Sequence, residues 1–242
     1  MQLYFIRHGQ SENNLLWEQT GSGEGRSEDP HLTEIGRKQA DQLARFLSNG
    51  VSSPLEEIEL DFQNTEGFGL THLYTSLMVR AVETGVPIAR ASHLPLLAWE
   101  DAHEWGGIYL DDPETGEPVG QPGHDRDYFQ AHYPELVLPE TLREDGWWSR
   151  PFEEPEQVAA RVERFLTTLI ARHGSTDDRV AVISHGGFYN NMVRVLLKLP
   201  DDGTHNWFIL NNAAMTRVDI HADGIDWAYM NRSDYLPRTL IT

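Results

Sequence analysis

The sequence predicts an α/β fold: a three-layer α/β/α arrangement around a mostly parallel central sheet, with an inserted cap region. Two apolar runs, Leu3–Ile6 and Val180–Ile183, have the length and content of buried strands. Stretches of helical apolar period separate the strand-like runs, the alternation that builds parallel sheets. Two late strand-like runs joined by Asp223-Gly224 read as a hairpin, which predicts an antiparallel edge.

The first strand, Leu3 to Ile6, runs directly into Arg7-His8-Gly9. Asn14 to Pro30 is rich in Gly and Glu and reads as a surface loop. Over 33–47, Ile35, Ala40, Leu43, Ala44 and Leu47 recur near helical spacing, and Asn49-Gly50 ends the run. Residues 50–70 read as an irregular insertion. Thr71 to Tyr74 is a second strand, with Thr75-Ser76 placed to cap a helix over 77–90. Leu94 to Trp99 is a third strand. The tract 100–154 lacks helical period and is rich in Pro, Gly, acids and Trp. Its aromatics, among them Trp105, Tyr109, Trp147 and Trp148, favour an ordered cap over a disordered segment. Pro155 begins a helix whose Val158, Val162, Phe165, Leu166, Leu169 and Ile170 share one face. The strand over 179–183 turns through Ser184-His185-Gly186-Gly187 into a helix over 188–199. Strands are expected near 207–210, 215–220 and 226–231. One domain over 1–242, with 100–154 as its cap, accounts for all of this.

Composition narrows the function. The chain carries 38 acidic and 19 basic residues, a formal charge of −19. That argues against nucleic-acid binding, which needs a basic stripe, and against an anionic membrane surface. An anion site must therefore be a local basic focus, which screening at physiological salt permits. There is no cysteine, so disulfides, thiolate metal sites and cysteine nucleophiles are excluded. No signal segment and no apolar run of about 18–20 residues is visible, so a cytoplasmic location is the expectation.

The strand ends hold the chemistry. Arg7-His8 follow the first strand, Ser76 and Arg80 the second, and His185 a late one. Ligands of open α/β sheets bind outside the carboxyl ends of strands, so these groups can converge. Arg7 offers a planar donor fork suited to phosphate. His8 is a side chain able to act as nucleophile near neutral pH. Gly186 and Gly187 open a helix, where free N–H groups favour an anion.

These residues resemble the histidine phosphatase superfamily, which includes cofactor-dependent phosphoglycerate mutases and many phosphomonoesterases. Arg7-His8-Gly9 with Ser11 and Asn14 matches the signature segment. His31-Leu32-Thr33…Gly36…Gln39-Ala40, Tyr74-Thr75-Ser76…Arg80-Ala81…Thr84 and Ser184-His185-Gly186-Gly187 follow in family order. The resemblance implies that His8 attacks phosphorus and becomes phosphohistidine. It implies that Arg7, Asn14, Arg80 and His185, with Gly186, surround the phosphoryl oxygens. It also implies an acid in the loop after the third strand. Glu104, beside Trp105 and Gly106-Gly107, is preferred, and Glu100 is the alternative. No metal and no cofactor is implied.

Each assignment has a plainer reading. Arg80 could pair with Glu83, Asn14 could cap a loop, and His185 could mark a tight turn. Gln10 and Ser11 are evenly balanced between site and scaffold. His103, His124 and His132 read as loop residues, and Trp147-Trp148 as cap core. The functional expectation is a metal-independent phosphomonoesterase of the histidine acid phosphatase type, acting on a small phosphorylated metabolite. A phosphoglycerate mutase is the first alternative; it would need extra cations in the cap, where only Arg126, Arg143 and Arg150 stand among many acids. An inactive member that binds a phosphorylated ligand or a protein is the second. A homo-oligomer is compatible with all three.

Overall fold

Strand β1 (Gln2–Arg7) alternates its side chains between two cores: Tyr4 and Ile6 face one, Leu3 and Phe5 the other. A strand buried on both faces reads as an unbroken apolar run, as seen here. The computed structural model describes residues 1–49, 61–200 and 206–242. Of the expected 50–70 insertion, 50–60 lie outside the described residues.

The sheet follows from β1 outward. Strand β7 (Arg179–Ser184) runs parallel to it, with Leu3 opposite Val180 and Arg7 opposite Ser184. Strands β2 (His72–Thr75), β3 (Leu96–Ala98) and β6 (Leu136–Val137) extend the parallel side. On the other side, β8 (Met215–Ile220) is antiparallel to β1 and β9 (Ile225–Arg232) is antiparallel to β8. The seven strands lie in the order β6-β3-β2-β7-β1-β8-β9. This is the mostly parallel α/β sheet with an antiparallel edge that the sequence predicts.

Helices cover both faces. Helix α2 (Glu34–Leu47) and helix α3 (Val79–Ser92) pack Leu43, Leu47, Ala81 and Val82 against the Tyr4 face. Helices α5 (Pro155–His173) and α6 (Gly186–Leu196) pack Val162, Phe165, Phe188 and Met192 against the Phe5 face. Pro155 occupies the first turn of α5, where its missing N–H costs nothing. No helix of the described residues is long and apolar enough to cross a membrane.

Several expectations need correction. The expected loop over 14–30 is in part helix α1 (Glu12–Thr20). Ser11 caps it through Asn14 N–H, Asn14 Oδ1 returns to Ser11, and Gly21 closes it at φ 66°. None of its residues is buried, so no apolar stripe announces it. Thr75-Ser76 do not cap α3 directly. Its first N–H, that of Val79, donates to Asp29 from a distant loop, while Ser76 Oγ accepts from Met78.

The strand expected at 207–210 is irregular chain. Its backbone is satisfied by side chains: Phe208 N–H and C=O bond to Asn190, and Leu210 C=O accepts from Arg7. The 100–154 tract holds a 3₁₀ turn (Glu100–Ala102), a hairpin of β4 (Tyr109–Asp111) and β5 (Pro118–Gly120), helix α4 (Arg126–His132) and β6. It is therefore tied to the main sheet through β6, a two-residue strand too short to read by periodicity. Trp147 and Trp148 are buried in the core beneath it.

The turn after β1 leans on α2. Gly36 lies so close to Gln10 that a Cβ there would stand 2.1 Å from the Gln10 carbonyl oxygen. Backbone cannot yield as a flexible side chain can. Gly36→Ala should lower stability by about 1–3 kcal/mol, the usual cost of overpacking, read as a fall in denaturation midpoint.

Candidate active site

Strands β1, β2 and β7 end side by side, and their C-terminal ends deliver the predicted residues to one cleft. His8 follows β1 and is 3% exposed; His185 follows β7 and is fully buried. The Arg7–Ser184 register brings their rings to 5.0 Å between centroids. Arg80 projects from the first turn of α3, and its Nε donates to His8 Nε2 at 3.3 Å.

That bond fixes the tautomer. His8 Nδ1 is 2.6 Å from the Gly9 carbonyl, which can only accept, so Nδ1 carries the proton. Nε2 is then the unprotonated nitrogen and presents its lone pair toward the cleft. Burial, then Arg80, then Arg7, hold the His8 pKa well below the usual imidazole range. His185 is also pushed well down, first by burial and then by Arg80. Among the described residues, neither His185 ring nitrogen has a partner, although both are buried. Unpaired buried polar atoms are costly and point to a polar group that arrives.

Arg7 donates Nη1 to the Leu210 carbonyl at 2.6 Å, while its Nε is buried without a partner. Arg80 does not pair with Glu83; Glu83 instead accepts from Leu32 N–H and Tyr133 and contacts His31. The Asn14 amide makes the cap weighed for it and also stands at the cleft. Its Oδ1 accepts from Ser11 and Asn212, and the residue lines the cleft beside His8. Ser11 lines the cleft as well as capping α1. Gln10 is scaffold: it bonds Glu18 and Thr33.

Glu104 reaches the cleft and Glu100 does not. The Glu104 carboxylate accepts from the N–H groups of Gly187 (3.0 Å), Phe188 (2.9 Å) and Trp105 (2.9 Å). It thereby closes the open N-terminus of α6 while lining the cleft with Arg7, Arg80 and Gly186. A Cβ on Gly187 would stand 2.5 Å from Glu104 Oε1, so only glycine lets the carboxylate approach. Glu100 is half-buried elsewhere, its pKa raised by burial against the influence of Arg150.

Two residues escaped sequence reading. Asn212 Nδ2 donates to the His8 carbonyl and to Asn14 Oδ1, tying the His8 backbone to α1. Asp29 is fully sheltered; Oδ1 accepts from Val79 N–H and lies 3.7 Å from Arg80 Nη1. Burial pushes its pKa up to about 7 despite Arg80. His103, expected in a loop, is fully buried against Trp148, with Nδ1 bonded to the Glu104 carbonyl.

A parallel α/β sheet that gathers two imidazoles, two guanidinium groups and a carboxylate at its strand ends defines an anion-handling α/β protein. The sequence matches the histidine phosphatase superfamily (branch 1) over residues 3–233, and the chain belongs to that superfamily. The fold is similar to that of a mycobacterial glucosyl-3-phosphoglycerate phosphatase, at 20% identity and a TM-score of 0.58, covering 96% of this chain and 99% of that one. It is similar also to a phosphoserine phosphatase from Entamoeba histolytica, at 22% identity and a TM-score of 0.57, covering 98% and 99%. No curated protein matches the chain at a significant level in sequence.

Asp29 gives this site a pH signature. Its carboxyl is held above its unfolded value of 3.8, so the folded state binds the extra proton. That contribution is fully present below pH 4 and is lost as pH rises through about 7. Asp29→Asn removes the titration. The stability of the parent protein relative to Asp29→Asn should therefore fall steadily from pH 4 to pH 8 in denaturant unfolding.

Proposed function

We propose that the protein is a metal-independent phosphomonoesterase that works through a phosphohistidine on His8. The observation that supports this most directly is the His8 tautomer: Nδ1 bonded to Gly9, Nε2 bare of hydrogen and facing Arg80. An uncharged nucleophile framed by cations is what attack on a phosphate dianion requires.

In the proposed reaction, the ester phosphate enters among Arg7, Arg80, Asn14 and His185, whose donors meet its equatorial oxygens. His8 Nε2 attacks phosphorus in line, the P–O bond to the alcohol breaks, and Glu104 delivers a proton to the departing oxygen. Water then attacks the phosphohistidine. Glu104 takes the proton from that water, the P–N bond breaks, and His8 regains its lone pair as phosphate leaves. Positioning and charge supply most of the rate, and the side chains of the cleft provide both.

The placement of cations supports hydrolysis over the mutase reading. Arg126 donates to Pro139, Arg143 grips Asp145, and Arg150 lies over Trp148 at 3.9 Å. None of these three lines the cleft.

His8→Ala should lower turnover of an aryl phosphate by about 10³-fold or more, the scale of nucleophile deletions, in buffer containing EDTA. Activity that survives this substitution would remove the nucleophile. Glu104→Gln should slow alkyl phosphates far more than aryl phosphates, because aryl oxides leave without protonation. Equal slowing of both in steady-state kinetics would take the acid role from Glu104.

A further inference from the structure

The cleft lies at the carboxyl ends of the parallel strands. At their amino ends, at the opposite end of the sheet, three other side chains meet. His72 opens β2, His173 ends α5, and Asp178 directly precedes β7. One donor atom from each lies within 4.8 Å of the other two, and among the described residues no other His, Asp or Glu side chains form such a group of three. The phosphoryl chemistry proposed above uses none of them.

The backbone holds the three in place. Thr176 N–H and Oγ1 both donate to the His173 carbonyl, and Thr176 Oγ1 accepts from Asp178 N–H. The turn after α5 is thereby folded so that the carboxylate meets the His173 ring. The Asp178 carbonyl accepts from Gln2 N–H of β1. Thr71 N–H donates to the Arg179 carbonyl and Arg179 N–H to Thr71 Oγ1, which sets the start of β2 beside that of β7. His173 is buried, whereas His72 and Asp178 are half-buried, which leaves a path from solvent.

The spacing is that of ligands rather than of a closed hydrogen-bond network. His173 Nδ1 is 2.8 Å from Asp178 Oδ2, and His72 Nδ1 is 3.7 Å from Asp178 Oδ1. The first separation is a hydrogen bond, and the second is too long for one. A zinc ion with bonds of about 2.0–2.2 Å sets its tetrahedral donors about 3.3 Å apart. That value lies between the two separations, so a small inward shift of His72 and a small outward shift of His173 satisfy it.

The surroundings suit a cation. A carboxylate only accepts, so His173 Nδ1 carries the proton and Nε2 accepts from the Tyr74 hydroxyl at 3.0 Å. When Nδ1 binds an ion, the proton passes to Nε2, which then donates to the Tyr74 oxygen. Metal-bound histidines are oriented by an outer hydrogen bond of this kind. His72 Nδ1 gives up its 2.9 Å contact with the Thr71 hydroxyl, which also faces the Arg179 carbonyl at 3.3 Å. Two neighbouring guanidinium groups are directed elsewhere, Arg172 over Trp99 and Arg179 to the Phe68 carbonyl.

We propose that His72, His173 and Asp178 bind a divalent zinc ion that fastens the end of α5 to the starts of β2 and β7. Two imidazoles and a carboxylate suit zinc, whereas magnesium and calcium take oxygen ligands. A formal charge of −19 favours capture of a cation. This site is separate from the cleft and does not depend on the phosphatase reading.

The test titrates the chelator-stripped full chain with zinc alone, in competition with a chromophoric chelator. One ion per chain should bind with a Kd of about 1 μM or tighter. His72→Ala and Asp178→Asn should each weaken binding by about 100-fold or more, and Tyr74→Phe by about tenfold. Zinc should raise the Tm of the parent by several degrees over its value in EDTA, and should leave the Tm of His72→Ala within about 1 °C of its own EDTA value. His72 is half-buried at a strand end, so His72→Ala should fold with a Tm in EDTA close to that of the parent. Cobalt bound in place of zinc should give visible absorption bands that His72→Ala lacks. Zinc affinity unchanged within about twofold in both His72→Ala and Asp178→Asn places the ion on other histidines and overturns the site. Displacement of zinc by a tenfold excess of magnesium overturns the imidazole ligation.

Discussion

The structure is organised around one costly arrangement: a neutral imidazole, His8, buried between two guanidinium groups. Charged groups of one sign repel, and burial strengthens the repulsion. The fold meets this largely with backbone, with Asp29 behind Arg80 at 3.7 Å. Gly9 C=O holds the His8 proton on Nδ1, Leu210 C=O takes Arg7, and Asn212 takes the His8 carbonyl. Each is a fixed dipole on an ordered segment, so the cations stay aimed into the cleft with donors unspent. A site that spent Arg7 on a carboxylate would be more comfortable, and it would have fewer donors left for phosphate.

Two carboxylates do lie near, and their surroundings divide them. Glu104 accepts three N–H bonds at the start of α6, on the wall of the cleft. Asp29 sits behind Arg80, sheltered, with Oδ1 on Val79 N–H and Oδ2 without a partner. Glu104 lies on the cleft wall, within reach of a bound group; Asp29 fixes the start of α3, from which Arg80 projects. A carboxylate thus stands at the site in one place and behind it in the other, according to what surrounds it.

Much of this was legible in the sequence, for a physical reason. Strands buried on both faces must be apolar throughout, so the polar residues that break them, Arg7-His8 and Ser184-His185, mark where the strand ends meet the cleft. Arg80 was legible through its distance from the second strand. The parts that were not legible depend on contacts between distant segments. Asp29 lies in a Gly-rich tract that reads as a loop, and nothing local says that its carboxyl caps a helix fifty residues on. Helix α1 buries nothing, so it shows no period. The 207–210 segment has strand-like residues, yet Asn190 takes the Phe208 N–H and C=O and Arg7 the Leu210 C=O, in place of a ladder.

The strongly acidic exterior is consistent with this interior. With a charge of −19, the long-range field opposes any phosphorylated molecule, so attraction must come at short range from groups already in position. Arg90, Arg143, Arg164 and Arg217 are each spent on a carboxylate, while Arg7 is held by a carbonyl and Arg26 by an aromatic face. Within the cleft, Arg7 and Arg26 are thus held by partners that do not cancel their charge, and Arg80 keeps Asp29 behind it at 3.7 Å. Local placement of this kind lets an acidic chain keep a basic pocket.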